Sequence, residues 1–189
     1  MTDQPVIPFA SPQKFRQWLQ KHHADHPGIW MKLAKKGSGI PSITYAEALD
    51  EALCYGWIDG QKKSVDAEYW LQKFTKRGPR SVWSKVNVDH VERLMREALM
   101  QPAGLLAVEA AKAEGRWEKA YASSSTFEMP ADFLKAVAKD KTAQSTYDEL
   151  NKANRYAIYF RLTTAKKPET RARRFGQLLA MLQRGEKLH

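Results

Sequence analysis

The segment Leu53-Cys54-Tyr55-Gly56-Trp57-Ile58-Asp59-Gly60 is where the chain changes from one hydrophobic period to another. Upstream, Tyr45, Ala48, Leu49, Ala52 and Leu53 recur at helical spacing behind Thr44-Tyr45-Ala46-Glu47, a capping box in which Thr and Glu satisfy the first turn reciprocally. Gly56 is placed to stop that helix in a left-handed conformation. Downstream, residues 57–65 and 69–74 are rich in aromatic residues and read as two strands joined by a turn near Asp66-Ala67. Asp59-Gly60 marks a bulge or tight bend in the first of them.

Working outward, Ser11-Pro12 opens a helix striped by Phe15, Trp18, Leu19 and His22, which ends before Pro27-Gly28. His22, His23 and His26 lack any carboxylate or Cys at a ligand spacing, so they read as residues at the helix's negative end and no metal site is expected. Residues 29–34 alternate as a half-buried strand, and Lys35-Lys36-Gly37-Ser38-Gly39 forms a basic loop before the capping box. Beyond Phe74 the period becomes helical throughout. Asn87 is expected to cap one helix and Pro102 to open another, with later stripes starting near Pro130, Ala143, Tyr156 and Pro168. The expected fold is therefore α+β: a small, mainly antiparallel sheet of about three strands with helices in residues 1–122, a linker at 123–127, and a helical, basic region at 128–189.

With 189 residues, 43% of them hydrophobic and 28% charged, the chain has the composition of an ordinary globular protein rather than a disordered one. No run approaches the ~18 apolar residues of a membrane span. Residues 1–10 do not pattern as a secretory signal, and a single cysteine, Cys54, excludes an internal disulfide, so a cytoplasmic protein is expected. The net charge of +10 favours an anionic partner. Residues 127–189 are the more basic part, with 13 Lys/Arg against 7 Asp/Glu.

Three functional classes follow. The first is a non-catalytic binding module in which Trp57, Asp59 and Trp83 line a cleft and Arg77 and Arg80 stand at its rim. Indoles would stack on a small planar ligand, guanidinium groups would fork onto its phosphate or carboxylate, and Asp59 would accept from it. Lys36, in the Gly-Ser loop before a helix N-terminus, adds a place for a phosphate, although Glu47 already supplies a negative charge there. The second is an enzyme with Glu47 or Asp59 as general base and Lys36 or Arg80 stabilising an anion. No Walker, zincin or nucleophile-elbow spacing accompanies it. The third is nucleic-acid or protein interaction through Lys166, Lys167, Arg171, Arg173 and Arg174 on the last helices. None of the three requires a cofactor.

Four motifs taken in order, Tyr45-Ala46-Glu47-Ala48-Leu49, Tyr55-Gly56-Trp57-Ile58-Asp59-Gly60, residues 81–87 and Thr164-Ala165-Lys166-Lys167-Pro168-Glu169-Thr170-Arg171, resemble the bacterial YdeI/OmpD-associated family, also described as bacteriocin-protection proteins. The resemblance extends over nearly the whole chain. It implies a cytoplasmic bacterial protein linked to tolerance of cationic antimicrobial peptides or bacteriocins, and it brings no established catalytic residue. Where the family often shows Thr-Pro-Arg, this chain has Thr75-Lys76-Arg77.

Overall fold

The computed structural model describes residues 4–188; residues 1–3 and residue 189, which the expected domains include at their ends, lie outside it. The chain divides into two compact units, the first running to Ser81 and including Asn87–Lys119, the second made of Val82–Val86 and the chain from Ala120 onward.

The first unit holds a four-stranded sheet in the order β1-β2-β4-β3, from β1 (Val6–Pro8), β2 (Ile29–Ala34), β3 (Trp57–Ser64) and β4 (Tyr69–Lys76). β2, β4 and β3 pair antiparallel, as the alternation implies, and the fold is α+β. β1 is an addition: three residues pair parallel to β2, Val6 opposite Trp30 and Pro8 opposite Lys32. A segment that short has no period to read.

Helix α1 (Pro12–His22) starts where Ser11 accepts from the Lys14 amide and buries Phe15 and Leu19. Phe15 meets Phe74 with ring centroids 5.8 Å apart, and Trp18 meets Trp57 edge-on at 5.7 Å, so α1 covers the sheet face that carries Met31, Leu33, Trp57 and Phe74. Helix α2 (Tyr45–Cys54) has the full capping box, and Gly56 follows it at φ +71°. Helix α4 (Pro102–Ala113) comes so close to the end of α2 that a Cβ on Gly104 would stand 2.2 Å from the Cys54 carbonyl oxygen. Only glycine permits that approach.

Helix α3 (Lys85–Arg96) begins two residues before the expected cap: Asn87 lies inside its first turn and is buried. On the polar side of α2, Arg16 pairs with Glu51 at 2.7 Å, and Asp50 takes both the His90 ring at 2.7 Å and the Arg93 guanidinium. These charges tie α1 and α3 to α2. His23 Nδ1 is 2.9 Å from the Leu19 carbonyl, and His26 Nδ1 accepts from the Gly28 amide at 3.2 Å, which gives the histidines local partners.

The second unit is helical: α5 (Ala131–Val137), α6 (Lys141–Asp148), α7 (Lys152–Thr163) and α8 (Pro168–Gln183). Its core gathers Phe133, Val137, Ile158, Leu162, Leu178 and Leu182. Asp140 and Asn151 cap α6 and α7 by accepting from the Ala143 and Asn154 amides. The serine stretch at 123–126 is a hydrogen-bonded turn in which Ser123 Oγ lies 2.7 Å from Ser125 Oγ and 3.0 Å from Thr126 Oγ1. Beside it, the Tyr159 hydroxyl accepts from the Ala122 amide at 2.8 Å and the Tyr156 hydroxyl donates to the Ala122 carbonyl at 3.2 Å. Ser84 bridges to Tyr121 in the same unit. Among the described residues, no helix is long and apolar enough to cross a membrane.

Candidate functional site

A concavity of about 530 Å³ in the first unit lies between the basic loop and the start of α2, lined by Leu33, residues 34–40, Ser42, Ile43, Thr44, Tyr45 and Trp70. Its position follows from three local devices. β2 ends at Ala34, and Lys35 anchors the loop by donating from its backbone to the Glu68 carbonyl and from Nζ to the Asp66 carbonyl. Gly37 and Gly39 then adopt φ of +88° and +72°, so the loop turns back over the groove. Lys36, exposed immediately before Gly37, is a cation on that loop.

Part of the lining is aromatic. Tyr45, the first residue of α2, is partly exposed, and its ring lies 6.0 Å from that of Trp70 on β4. The Tyr45 hydroxyl donates to Asp59 Oδ2 at 2.8 Å. Asp59 stands where β3 bulges between Asp59 and Lys62, and the buried Gln72 holds the bulge by donating from Nε2 to the Gly60 carbonyl at 2.9 Å and the Gln61 carbonyl at 3.3 Å. Asp59 therefore fixes the tyrosine that lines the groove.

Glu47 is committed to the helix cap. One carboxylate oxygen accepts from the Thr44 amide at 2.9 Å and the Thr44 hydroxyl at 2.8 Å. That charge sits at the positive end of α2, where an incoming anion would otherwise go.

Of the expected site residues only Lys36 lines this groove, with Tyr45, Trp70 and Ser42 as lining residues that the sequence reading did not assign to a site; Asp59 reaches it only through Tyr45, and Glu47 only through Thr44. The two-residue period groups Trp70 with Gln72 and Phe74 within β4, and the observed register then sets it on the same sheet face as Trp57 and Asp59. Trp57 is itself a core residue, with no exposed surface and Nε1 donating to the His23 carbonyl at 3.0 Å, so it offers no face to a ligand. The Arg77 amide donates to the Gly56 carbonyl at 3.0 Å, and Arg80 lies in the exposed loop after it. Trp83 belongs to the second unit and is buried.

In the second unit, Arg171 pairs with Asp132 at 2.8 Å and Arg174 donates to the Arg161 carbonyl at 2.8 Å. Lys166, Lys167 and Arg173 are exposed. Two of the five basic residues expected to meet nucleic acid therefore hold the helices together. Cys54 is fully buried, and desolvation pushes its thiol up to about 12, so it stays protonated and unreactive at neutral pH.

Residues 7–107 match the model of a domain of unknown function, DUF8412, which covers more than half of the chain. The chain belongs to that family. The groove, α2 and all of the sheet except Val6 fall within the DUF8412 match. Residues 126–185 match a second model, described as bacteriocin-protection, YdeI or OmpD-associated. The resemblance to that second family is thus carried by the helical part, where Thr164 to Arg171 lies. The motifs around Tyr45, Trp57 and residues 81–87 fall in the DUF8412 part instead. No curated protein and no solved structure matches the chain.

Proposed function

We propose that the chain is a non-catalytic binding protein that takes a small, planar, anionic ligand in the groove between the Lys35–Gly39 loop and the start of α2. The observation that carries this reading is that a glycine-hinged cationic loop at Lys36 and the aromatic pair Tyr45 and Trp70 line one cavity of about 530 Å³. Small-molecule sites usually measure roughly 300–1,000 Å³ and combine apolar walls with a few placed polar groups. Trp70 and Tyr45 supply stacking surface, and Lys36 supplies charge for a phosphate or carboxylate. The two carboxylates nearby are engaged, Glu47 with the helix cap and Asp59 with Tyr45, which favours binding over general-base chemistry. The bacteriocin-protection match suggests the setting in which such binding acts, tolerance of bacteriocins or antimicrobial peptides.

A thermal-melting screen of nucleotides, pyrophosphate and aromatic carboxylates at two salt concentrations tests the reading. A ligand at 100 times its Kd stabilises the native state by about 2.7 kcal/mol. Lys36→Ala should keep the wild-type melting temperature without ligand, because exposed substitutions stay within about ±0.5 kcal/mol, and should lose most of the ligand-induced shift. Absence of any shift in the wild type, or an undiminished shift in Lys36→Ala, would remove the groove as an anion site.

A further inference from the structure

The sheet of the first unit has a second face, turned away from Phe74 and Trp57. Register sets Trp30 opposite Lys73 and Lys32 opposite Leu71, with Ala34 opposite Tyr69 and Lys63 of β3 also opposite Leu71. Strand alternation places these side chains together. Lys63 Nζ lies 4.3 Å and Lys73 Nζ 5.6 Å from the Trp30 ring centroid, and Lys32 Nζ lies 3.8 Å from that of Tyr69.

Two aromatic rings are therefore roofed by three ammonium groups. The remaining positions in this register, Val6 and Pro8 on β1 with Ile58 and Thr75 toward β3, add no carboxylate. Asp66, in the β3–β4 turn at one end of the face, feels the charge of Lys32 but accepts from the Glu68 and Tyr69 amides at 2.8 and 2.7 Å. The cations thus have rings for partners, an attraction to the negative ring face that is modest beside a full ion pair. A phosphate is a stronger partner for an ammonium, and a base is a better cover for a ring.

We propose that this face binds single-stranded nucleic acid, with Lys32, Lys63 and Lys73 taking phosphates and bases stacking on Trp30 and Tyr69 where the ammonium groups now lie. Trp30 is only 8% exposed, as the lysine stems lie over it. Moving those flexible stems outward onto phosphates uncovers the ring, so the two halves of recognition are coupled. A duplex keeps its bases inside its own stack and cannot use the rings, which sets the preference for single strands. An acidic peptide would satisfy the lysines and leave the rings idle. The site is separate from the groove and independent of the ligand proposed there.

The test is fluorescence anisotropy of labelled 20-nucleotide oligo(dT) and oligo(U) with the full chain between 50 and 200 mM salt, with a duplex of equal length alongside. Affinity should fall steeply with salt, and the duplex should bind at least tenfold more weakly. The triple variant Lys32→Gln/Lys63→Gln/Lys73→Gln, verified as folded by its melting curve, should lose at least tenfold in affinity. Its salt slope should flatten by about 2, from about 0.7 per phosphate contact on a single strand. Tyr69→Leu, which keeps every charge, should weaken binding about tenfold with the slope unchanged. The proposal is overturned if neither oligonucleotide binds at 50 mM salt, if the triple variant keeps the wild-type slope, or if the duplex binds equally well. A loss produced instead by Lys166→Gln/Lys167→Gln would move the site to the last helices and overturn it too.

Discussion

The two ends of α2 are built in opposite ways. At the C-terminal end, Cys54 is buried, its carbonyl accepts from the Gln101 amide at 3.0 Å, and a Cβ on Gly56 would lie 2.8 Å from the Ala103 carbonyl oxygen. At the N-terminal end, Thr44, Tyr45, Ala46 and Glu47 are exposed and a groove opens beside them. The packed end fixes where the helix lies, and the open end presents side chains whose positions are thereby set. Precise placement of an open site depends on rigid support elsewhere on the same element.

The largest expected effect comes from breaking the packed end. Gly104→Ala sets a methyl group against a backbone carbonyl, and the nearest other atom, Met100 Cε, is 2.8 Å away. Helix propensity alone favours Ala over Gly by about 1 kcal/mol, yet overpacking costs typically 1–3 kcal/mol and sometimes more. A net loss of roughly 2 kcal/mol is expected in urea denaturation. A more stable Gly104→Ala protein would show that α2 and α4 do not meet this closely.

That close approach could not be read from the sequence, because a glycine in an apolar helical stripe looks like a weak helix residue until its neighbour across space is known. What was legible was local. The capping box at Thr44 and Glu47, the stop at Gly56, the bulge after Asp59 and the Asp66 turn each depend on a few consecutive residues, and each is present. β1 escaped because parallel pairing joins segments more than 20 residues apart and its three residues carry no alternation. Asn87 has the chemistry of a cap but sits in the first turn of α3, so residue type alone placed the helix start at Val88, three residues late. For the groove, loop chemistry pointed to Lys36, which lines it, whereas Glu47 serves the helix cap and Asp59 holds Tyr45. The choice between indoles was not legible: Trp57 and Trp70 share a sheet face, and the Trp18 ring on α1 is what stands against Trp57.

The chemistry of Cys54 sharpens the contrast through pH. Burial raises the folded-state thiol to about 12, above its ordinary value near 9. Between those values the folded protein keeps a proton that the unfolded chain releases, so stability is fully present below about pH 9 and declines as pH rises toward 12. The slope from this one group is at most ~1.4 kcal/mol per pH unit. Denaturation curves at pH 8, 9.5 and 10.5 should therefore show a steeper decline in the wild type than in Cys54→Ala. Parallel declines would mean that the packed end admits water.

The open end should respond more mildly. Thr44→Ala removes the hydroxyl that accepts from the Glu47 amide at 3.3 Å, and loss of such a cap costs typically about 1 kcal/mol. Chemical denaturation should report that loss. An effect above about 2 kcal/mol would indicate that the start of α2 is as tightly integrated as its end.

The smallest expected change in stability is the most informative about the groove. In Glu47→Gln, the amide oxygen can still accept from the Thr44 amide and hydroxyl, so the geometry of the box survives and only the negative charge at the helix N-terminus is lost. Such a charge is worth about 0.3–1 kcal/mol, and the folded protein should lose stability within that range. The same charge opposes an anion entering beside α2. Removing it should tighten binding of an anionic groove ligand by about two- to fivefold, the equivalent of that energy, with the gain shrinking as salt screens the site. Titration calorimetry with the best anionic ligand from the melting screen, at two salt concentrations, reads both effects. Unchanged affinity in Glu47→Gln would place the anion away from the helix start and leave Lys36 as a solvated loop cation, whereas tighter, salt-sensitive binding would locate the anion at the open end of α2.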